Sequence, residues 1–268
     1  MIGERFVTGS PAPLVALQPA AEPDVSVITV TYGTGRVVID MLLSLAEAAA
    51  DPSSPAIEAI VVDHPHPGAG DRTLTDLRLF TAGVRVVRPP DNLGFGGGCE
   101  VGALAARAGT LAFVNPDVEV PIGWLAPLVD ALDEPGVSIA APLLVDPDGA
   151  LQEAGQRLDS TASTSPIRDA PSERATVDYA SAACWVLRRS THERLGGFDP
   201  LYHPAYFEDV DLALRTRRSG DRCVVVPEVR VMHHGGAGVP GLAAPASAQR
   251  EVLRRQWPEI AWTQPRPT

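Results

Sequence analysis

Four short apolar runs, spaced so that a helix fits between each pair, constrain this chain more than any other feature. They are Asp24-Val-Ser-Val-Ile-Thr-Val-Thr-Tyr32, Ile57-Glu-Ala-Ile-Val-Val-Asp63, Val84-Arg-Val-Val-Arg88 and Thr110-Leu-Ala-Phe-Val114. Near-continuous β-branched stretches of this length read as parallel strands covered on both faces. Helices are expected near 36–49, near 71–82, and from the glycines after Asn92 to about Arg107. The alternation predicts a doubly wound α/β half. In such sheets ligands bind beyond the carboxyl ends of the strands, where Tyr32, Asp63 and Asp117 fall.

The second half is less regular. A helix near 121–133, short strands around 137–145, an apolar strand Val177–Leu187 and a short helix after Phe207 are expected. Two short strands at 222–226 and 229–232 and a last helix near 246–256 follow. The Ser/Thr/Pro-rich stretch 159–173 is expected to be a mobile loop, and the Pro/Ala-rich residues 1–23 a loosely held tail. The expected organisation is a tail (1–23), a first half (24–118), a second half (119–238), and a linker with a final helix (239–268). No internal repeat is evident.

Composition removes several function classes. All 22 basic residues are Arg, so a phosphate loop ending in Gly-Lys and a Schiff-base lysine are both impossible. A net charge of −11 argues against general nucleic-acid binding and against attachment to an anionic membrane. The three cysteines, Cys99, Cys184 and Cys223, lack metal spacing and are expected to be reduced thiols of a cytoplasmic protein. No apolar run reaches the roughly 18 residues of a membrane span, and no signal peptide is evident.

Chemistry concentrates in Gly196-Gly-Phe-Asp-Pro-Leu-Tyr-His-Pro-Ala-Tyr-Phe-Glu208-Asp209-Val-Asp211. Acids favour a helix start, and Asp211 is placed to pair with Arg215 one turn on. Asp209 and Asp211 are about 200° apart on a helix and cannot face one cleft. Asp209 sits beside the aromatic, Pro-rich loop, where a carboxylate can act as a general base. The glycines at 94–98 fail the dinucleotide spacing, because Cys99 stands where a third glycine would fall. They are compatible with a tight turn or with close approach of a ligand to the backbone. Asp117 at the sheet rim is either a turn residue or a ligand for Mg²⁺ or Mn²⁺, with His233 or His234 as a nitrogen ligand.

Taken in order, these motifs resemble the family 2 glycosyltransferases, inverting enzymes of the GT-A fold, and among them the rhamnosyltransferase-type members. The resemblance runs from about Asp24 to Gly238. It implies a single α/β/α domain with a mostly parallel mixed sheet and a nucleoside diphosphate sugar donor, linked to dTDP, UDP or GDP. It also implies a hydroxyl acceptor on a small molecule, a lipid-linked glycan or a cell-wall glycan. Thr31 and Tyr32 would lie under the base and Asp63 would read it. Asn92 and Gly94 form the donor-side turn, and Asn115-Pro-Asp117 resembles a degenerate Asp-x-Asp motif. Asp209 would be the base, with Trp185, Tyr206, Glu208 and Asp211 on the acceptor side. Asp117 and His233 would hold the metal, with His234 as the alternative. His64-Pro-His-Pro after Asp63, Glu100 in place of a common Asn, Ser181-Ala-Ala and Gly238 depart from the pattern. The first two imply altered donor selectivity. A sugar nucleotidyltransferase and a non-catalytic nucleotide-sugar-binding protein are the competing readings, and a homodimer is compatible with all of them.

Overall fold

The structure, a computed structural model, describes residues 13–18, 20–68, 70–235 and 246–260. The first half runs β1 (Val15–Ala16), β2 (Val25–Tyr32), α1 (Val37–Ala49), β3 (Ile57–His64), α2 (Thr73–Phe80), β4 (Thr81–Ala82) and β5 (Val84–Val87). It continues with α3 (Gly94–Ala105), β6 (Thr110–Val114) and β7 (Val118–Glu119). The second half holds α4 (Leu125–Ala131), β8 (Val137–Val145), β9 (Leu151–Glu153), β10 (Gln156–Leu158), β11 (Thr164–Pro166), β12 (Ala175–Val177) and β13 (Cys184–Arg188). It ends with α5 (Arg189–Leu195), a 3₁₀ turn (Pro200–Tyr202), α6 (Glu208–Arg218), β14 (Arg222–His233) and α7 (Ala246–Gln256).

The main sheet has the order β12-β14-β8-β13-β6-β2-β3-β5, with β7 on β14 and β9 on β8. Strands β5, β3, β2 and β6 are parallel, β13 runs antiparallel between β6 and β8, and β14 is parallel to β8. The carboxyl ends of β2, β3, β6, β8 and β14 therefore share one rim, joined there by the start of β13. The period of two is clean. Val25, Val27, Ile57, Ala59 and Val61 face the core under α1 and α4, while Ile28, Val30, Ile60 and Val62 face the core under α3.

The glycine run has a packing cause. A Cβ at Gly98 would lie 2.6 Å from Val30 Cγ1 and one at Gly102 2.3 Å from Ile28 Cγ2. These two residues, four positions apart, let α3 lie close on β2.

The structure departs from the expectations in several places. Val15 is fully buried and Leu17 nearly so, and β1 pairs with β4 through Val15↔Thr81, so part of the expected tail is anchored in the core. Residues 1–12 and the linker 236–245 lie outside the described residues. The expected loop 159–173 begins as a hairpin of β10 and β11, closed by Asp159, whose Oδ1 accepts from Thr161 N and Ser163 N. The expected strand from Val177 breaks over 178–183 and resumes as β13. The two expected late strands are one, β14, whose register shifts between Val226 and Arg230 around Pro227. Proline cannot donate to the ladder, and the bulge accommodates it.

Candidate active site

Asp117 follows β6 and is nearly buried. Its carboxylate Oδ1 lies 3.6 Å from His233 Nε2. Pairing of β14 with β7, His233↔Val118, sets this approach, and His234 N donates to Asp117 O at 2.9 Å. The imidazole orientation is fixed from behind. Gln152 Nε2 donates to Asp146 Oδ1 (3.0 Å), which leaves Gln152 Oε1 to accept from His233 Nδ1 at 2.6 Å. With Nδ1 engaged by Gln152, Nε2 is the ring nitrogen turned to Asp117, an orientation common at metal-binding histidines. His234 points elsewhere, onto Glu119 Oε1 at 2.6 Å. Among the described residues no group of three or more His, Cys, Asp or Glu could hold a metal. Asp117 and His233 are close enough that one divalent ion could bond to both at about 2.1 Å, and it would have to take its remaining ligands from elsewhere. Asn115 Oδ1, buried beside them without a partner, is a further polar atom facing this end of the sheet.

Asp209 stands in the first turn of α6 and is half-buried. The two residues leading into the helix, Tyr206 (φ 79) and Phe207 (φ 73), are both left-handed, a costly backbone for residues other than glycine. Asp209 Oδ1 accepts from Val210 N (2.8 Å) and Oδ2 from Ala182 N (3.4 Å). The next residue of that segment, Ala183, accepts through its carbonyl from Asn115 N at 2.8 Å. A strap of two residues thus ties Asp209 to the turn that carries Asp117. Burial raises the Asp209 carboxyl to about 6 against the two N–H donors, with the Glu153 charge adding to the rise. Burial also holds Glu208 well above the carboxylate range, helped by Asp209 next to it, and Glu208 Oε2 is buried with no partner.

At the far end of the rim Tyr32 meets His66 edge to face, with ring centroids 4.6 Å apart. Thr31 is buried and its Oγ1 accepts from Thr34 Oγ1 at 2.9 Å. Asp63, opposite Thr31 in the β2–β3 register, is fully buried and paired with Arg88, leaving Oδ1 without a partner. Burial outweighs Arg88 and raises its carboxyl. His64 beside it is also buried, and burial together with His203 lowers its imidazole to about 4. Asn92 Oδ1 accepts from Gly94 N at 2.9 Å, closing the turn into α3.

This turn contacts the loop before α6. Phe95 N donates to Pro204 O at 2.8 Å, and a Cβ at Gly94 (φ +71) would stand 2.4 Å from that oxygen. Glu100 Oε1 accepts from Phe198 N (2.7 Å) and meets His192 Nε2 (2.9 Å). A small cleft between the two segments is lined by Leu93, Gly96, Gly97, Asp199, Pro200, Tyr202, His203 and Glu208.

Two residues expected on the acceptor side are elsewhere. Trp185 is fully buried and its Nε1 donates to Ala180 O at 2.9 Å, because β13 is covered on both faces; it offers no ring face to a ligand. Asp211 is buried on the other side of α6, with Oδ2 on Arg215 (2.6 and 2.8 Å) and Oδ1 accepting from Trp257 Nε1 (2.8 Å). Its role is structural. Tyr206 is half exposed at the loop. Glu153, which accepts from Ser181 N at 3.1 Å and lies near Asp209, is not among the expected site residues; the contacts of Gln152 with His233 and of Glu100 with Phe198 and His192 join segments far apart in the chain.

A family model described as Glycosyl transferase family 2 matches residues 26–196. The chain is 30% identical over 239 residues to the N-acetylglucosaminyl-diphospho-decaprenol L-rhamnosyltransferase of Mycobacterium tuberculosis, covering 78% of this chain and 75% of that protein. The mannosyltransferase of Pyrobaculum calidifontis in complex with GDP-Man and Mn²⁺ superposes with a TM-score of 0.62, over 95% of this chain and 70% of its own, at 20% identity. GalNAc-T7 with UDP, GalNAc and Mn²⁺ gives 0.63 over 80% of this chain and 44% of its own, at 17% identity. These two likenesses establish the GT-A fold. The family match stops before α6, so the residues around Asp209 stand on their own geometry.

Proposed function

The chain belongs to glycosyl transferase family 2, and from that premise we propose that it moves a sugar from a nucleoside diphosphate sugar to an acceptor hydroxyl with inversion at the anomeric carbon. The observation that carries this reading is the Ala182–Ala183 strap. It links Asp209 to the Asn115–Asp117 turn through two consecutive residues, which supports a base and a diphosphate site working on one substrate.

Tyr32 with His66, and the Asn92 turn, hold the nucleotide. Asp117 and His233 would hold Mg²⁺ or Mn²⁺, which when bound supplies positive charge to the departing diphosphate. Asp209 takes the proton from the acceptor hydroxyl while its oxygen bonds to the anomeric carbon and the bond to the diphosphate breaks on the opposite face. With its carboxyl near 6, Asp209 is ionised at neutral pH yet basic enough to assist. The rhamnosyltransferase relative favours a deoxysugar such as rhamnose on the donor and, of the acceptor classes, a lipid-linked glycan.

Thermal shift with dTDP-L-rhamnose, UDP-GlcNAc and GDP-mannose, each with and without Mn²⁺, tests the reading, because a ligand bound only by the folded state raises apparent stability. A Mn²⁺-dependent shift and release of nucleoside diphosphate support it. Release of pyrophosphate instead assigns a nucleotidyltransferase, and binding without any turnover assigns a non-catalytic module.

A further inference from the structure

The loop from Asp199 to Phe207 delivers Asp209, yet it has little internal bonding beyond its 3₁₀ turn. Three consecutive carbonyls of this loop are instead held from outside. Pro204 O accepts from Phe95 N on the donor-side turn. Tyr202 O and His203 O both accept from Gln249 Nε2, each at 3.0 Å. Gln249 lies on α7 and is almost fully buried. An amide buried on a helix face costs desolvation and rotamer freedom, and here both of its N–H groups are used on one loop.

The same helix and Trp257, one residue past its end, pack against α6 and the loop that leads into it. Leu253 and Trp257 pack with Tyr202, Phe207 and Val210, and Trp257 Nε1 donates to Asp211 Oδ1 at 2.8 Å. The left-handed pair Tyr206–Phe207 and the first turn of α6 therefore sit between two ties to one element. Strained backbone persists only where its surroundings over-determine it.

We infer that Gln249, on α7, is a positioning residue for glycosyl transfer, setting the reach of Asp209 through the main chain of Tyr202 and His203. The inference rests on the transfer reading above. It assigns the approach of base to substrate to a helix that touches neither.

The test uses the full chain and donor hydrolysis, in which Asp209 takes a proton from water, with whichever of dTDP-L-rhamnose, UDP-GlcNAc and GDP-mannose turns over fastest. Gln249→Met keeps the side chain's length and removes both donors. The expected result is a kcat lower by tenfold or more, a donor KM within twofold of wild type, and a displaced acidic limb of the pH–rate profile. Trp257→Phe, which keeps the packing and loses the tie to Asp211, should lower kcat in the same direction. Unchanged kcat in Gln249→Met overturns the inference. So does a parallel fall of kcat, donor binding and melting temperature, which marks a residue that only stabilises the fold. A wild-type protein that hydrolyses none of the three donors overturns the transfer reading itself, a result separate from either.

Discussion

Asp117 and His233 face each other across 3.6 Å at the carboxyl ends of β6 and β14, and the histidine is turned to the aspartate by Gln152. That geometry separates the two adjacent histidines, since His234 is engaged with Glu119. His233→Ala should abolish Mn²⁺-dependent binding of UDP in calorimetry, and Gln152→Ala should weaken the metal by about 10–100-fold through loss of ring orientation. His234→Ala should leave it unchanged. Equal losses in the two histidine variants would contradict the assignment.

Glu208 and Asp209 are neighbours with different expected roles. Burial, with the Asp209 charge beside it, shifts Glu208 toward its protonated form and its Oε2 has no partner, so a neutral amide should substitute for it. Glu208→Gln is expected to keep turnover within about threefold of wild type, since the amide keeps the side chain's size and needs no ionised form. Loss as deep as that of an Asp209 variant would mean that the two carboxyls share the base function.

The raised carboxyl of Asp209 fixes a pH dependence. Turnover should rise with pH through about 6 as the base ionises, and level off above it. Stability runs the other way. A carboxyl whose folded value lies above its unfolded value of 3.8 makes the folded state bind protons more tightly, so stability falls as pH rises from about 4 to about 6. In Asp209→Asn that fall should shrink, read as a smaller difference in melting temperature between pH 5 and pH 7.

Gly94 joins the donor turn to the acceptor loop. A side chain there meets Pro204 O at 2.4 Å with φ at +71. Gly94→Ala should cost about 1–3 kcal/mol in denaturant unfolding and lower kcat along with it. An unperturbed variant would show that the two segments are not in contact.

Much of the fold was legible because it is local. Alternation of apolar runs with helices gave the parallel half, and the separation of Asp209 from Asp211 followed from helical geometry, as did the Asp211–Arg215 pair. The glycines after Asn92 are compatible in sequence with a turn or a ligand approach, and the structure gives Gly94 to the turn against Pro204 while Gly98 and Gly102, one helical turn apart, seat α3 on β2. Trp185 admits either sugar stacking or a core role in the sequence, and its run Cys184-Trp-Val-Leu187, apolar on both faces, marks a strand with no free side, in line with the core role. Partners far away in the chain left no local signal. The grip of Trp257 on Asp211, of Gln152 on His233 and of Glu100 on the loop at Phe198 arises only once the sheet has closed.

Asp209→Asn measured for both turnover and donor affinity tests the central claim most directly. The account predicts that sugar transfer or donor hydrolysis falls by about 10²–10⁴-fold, while Mn²⁺-dependent affinity for the nucleotide stays within a few fold of wild type. Turnover near the wild-type rate in that variant would contradict it.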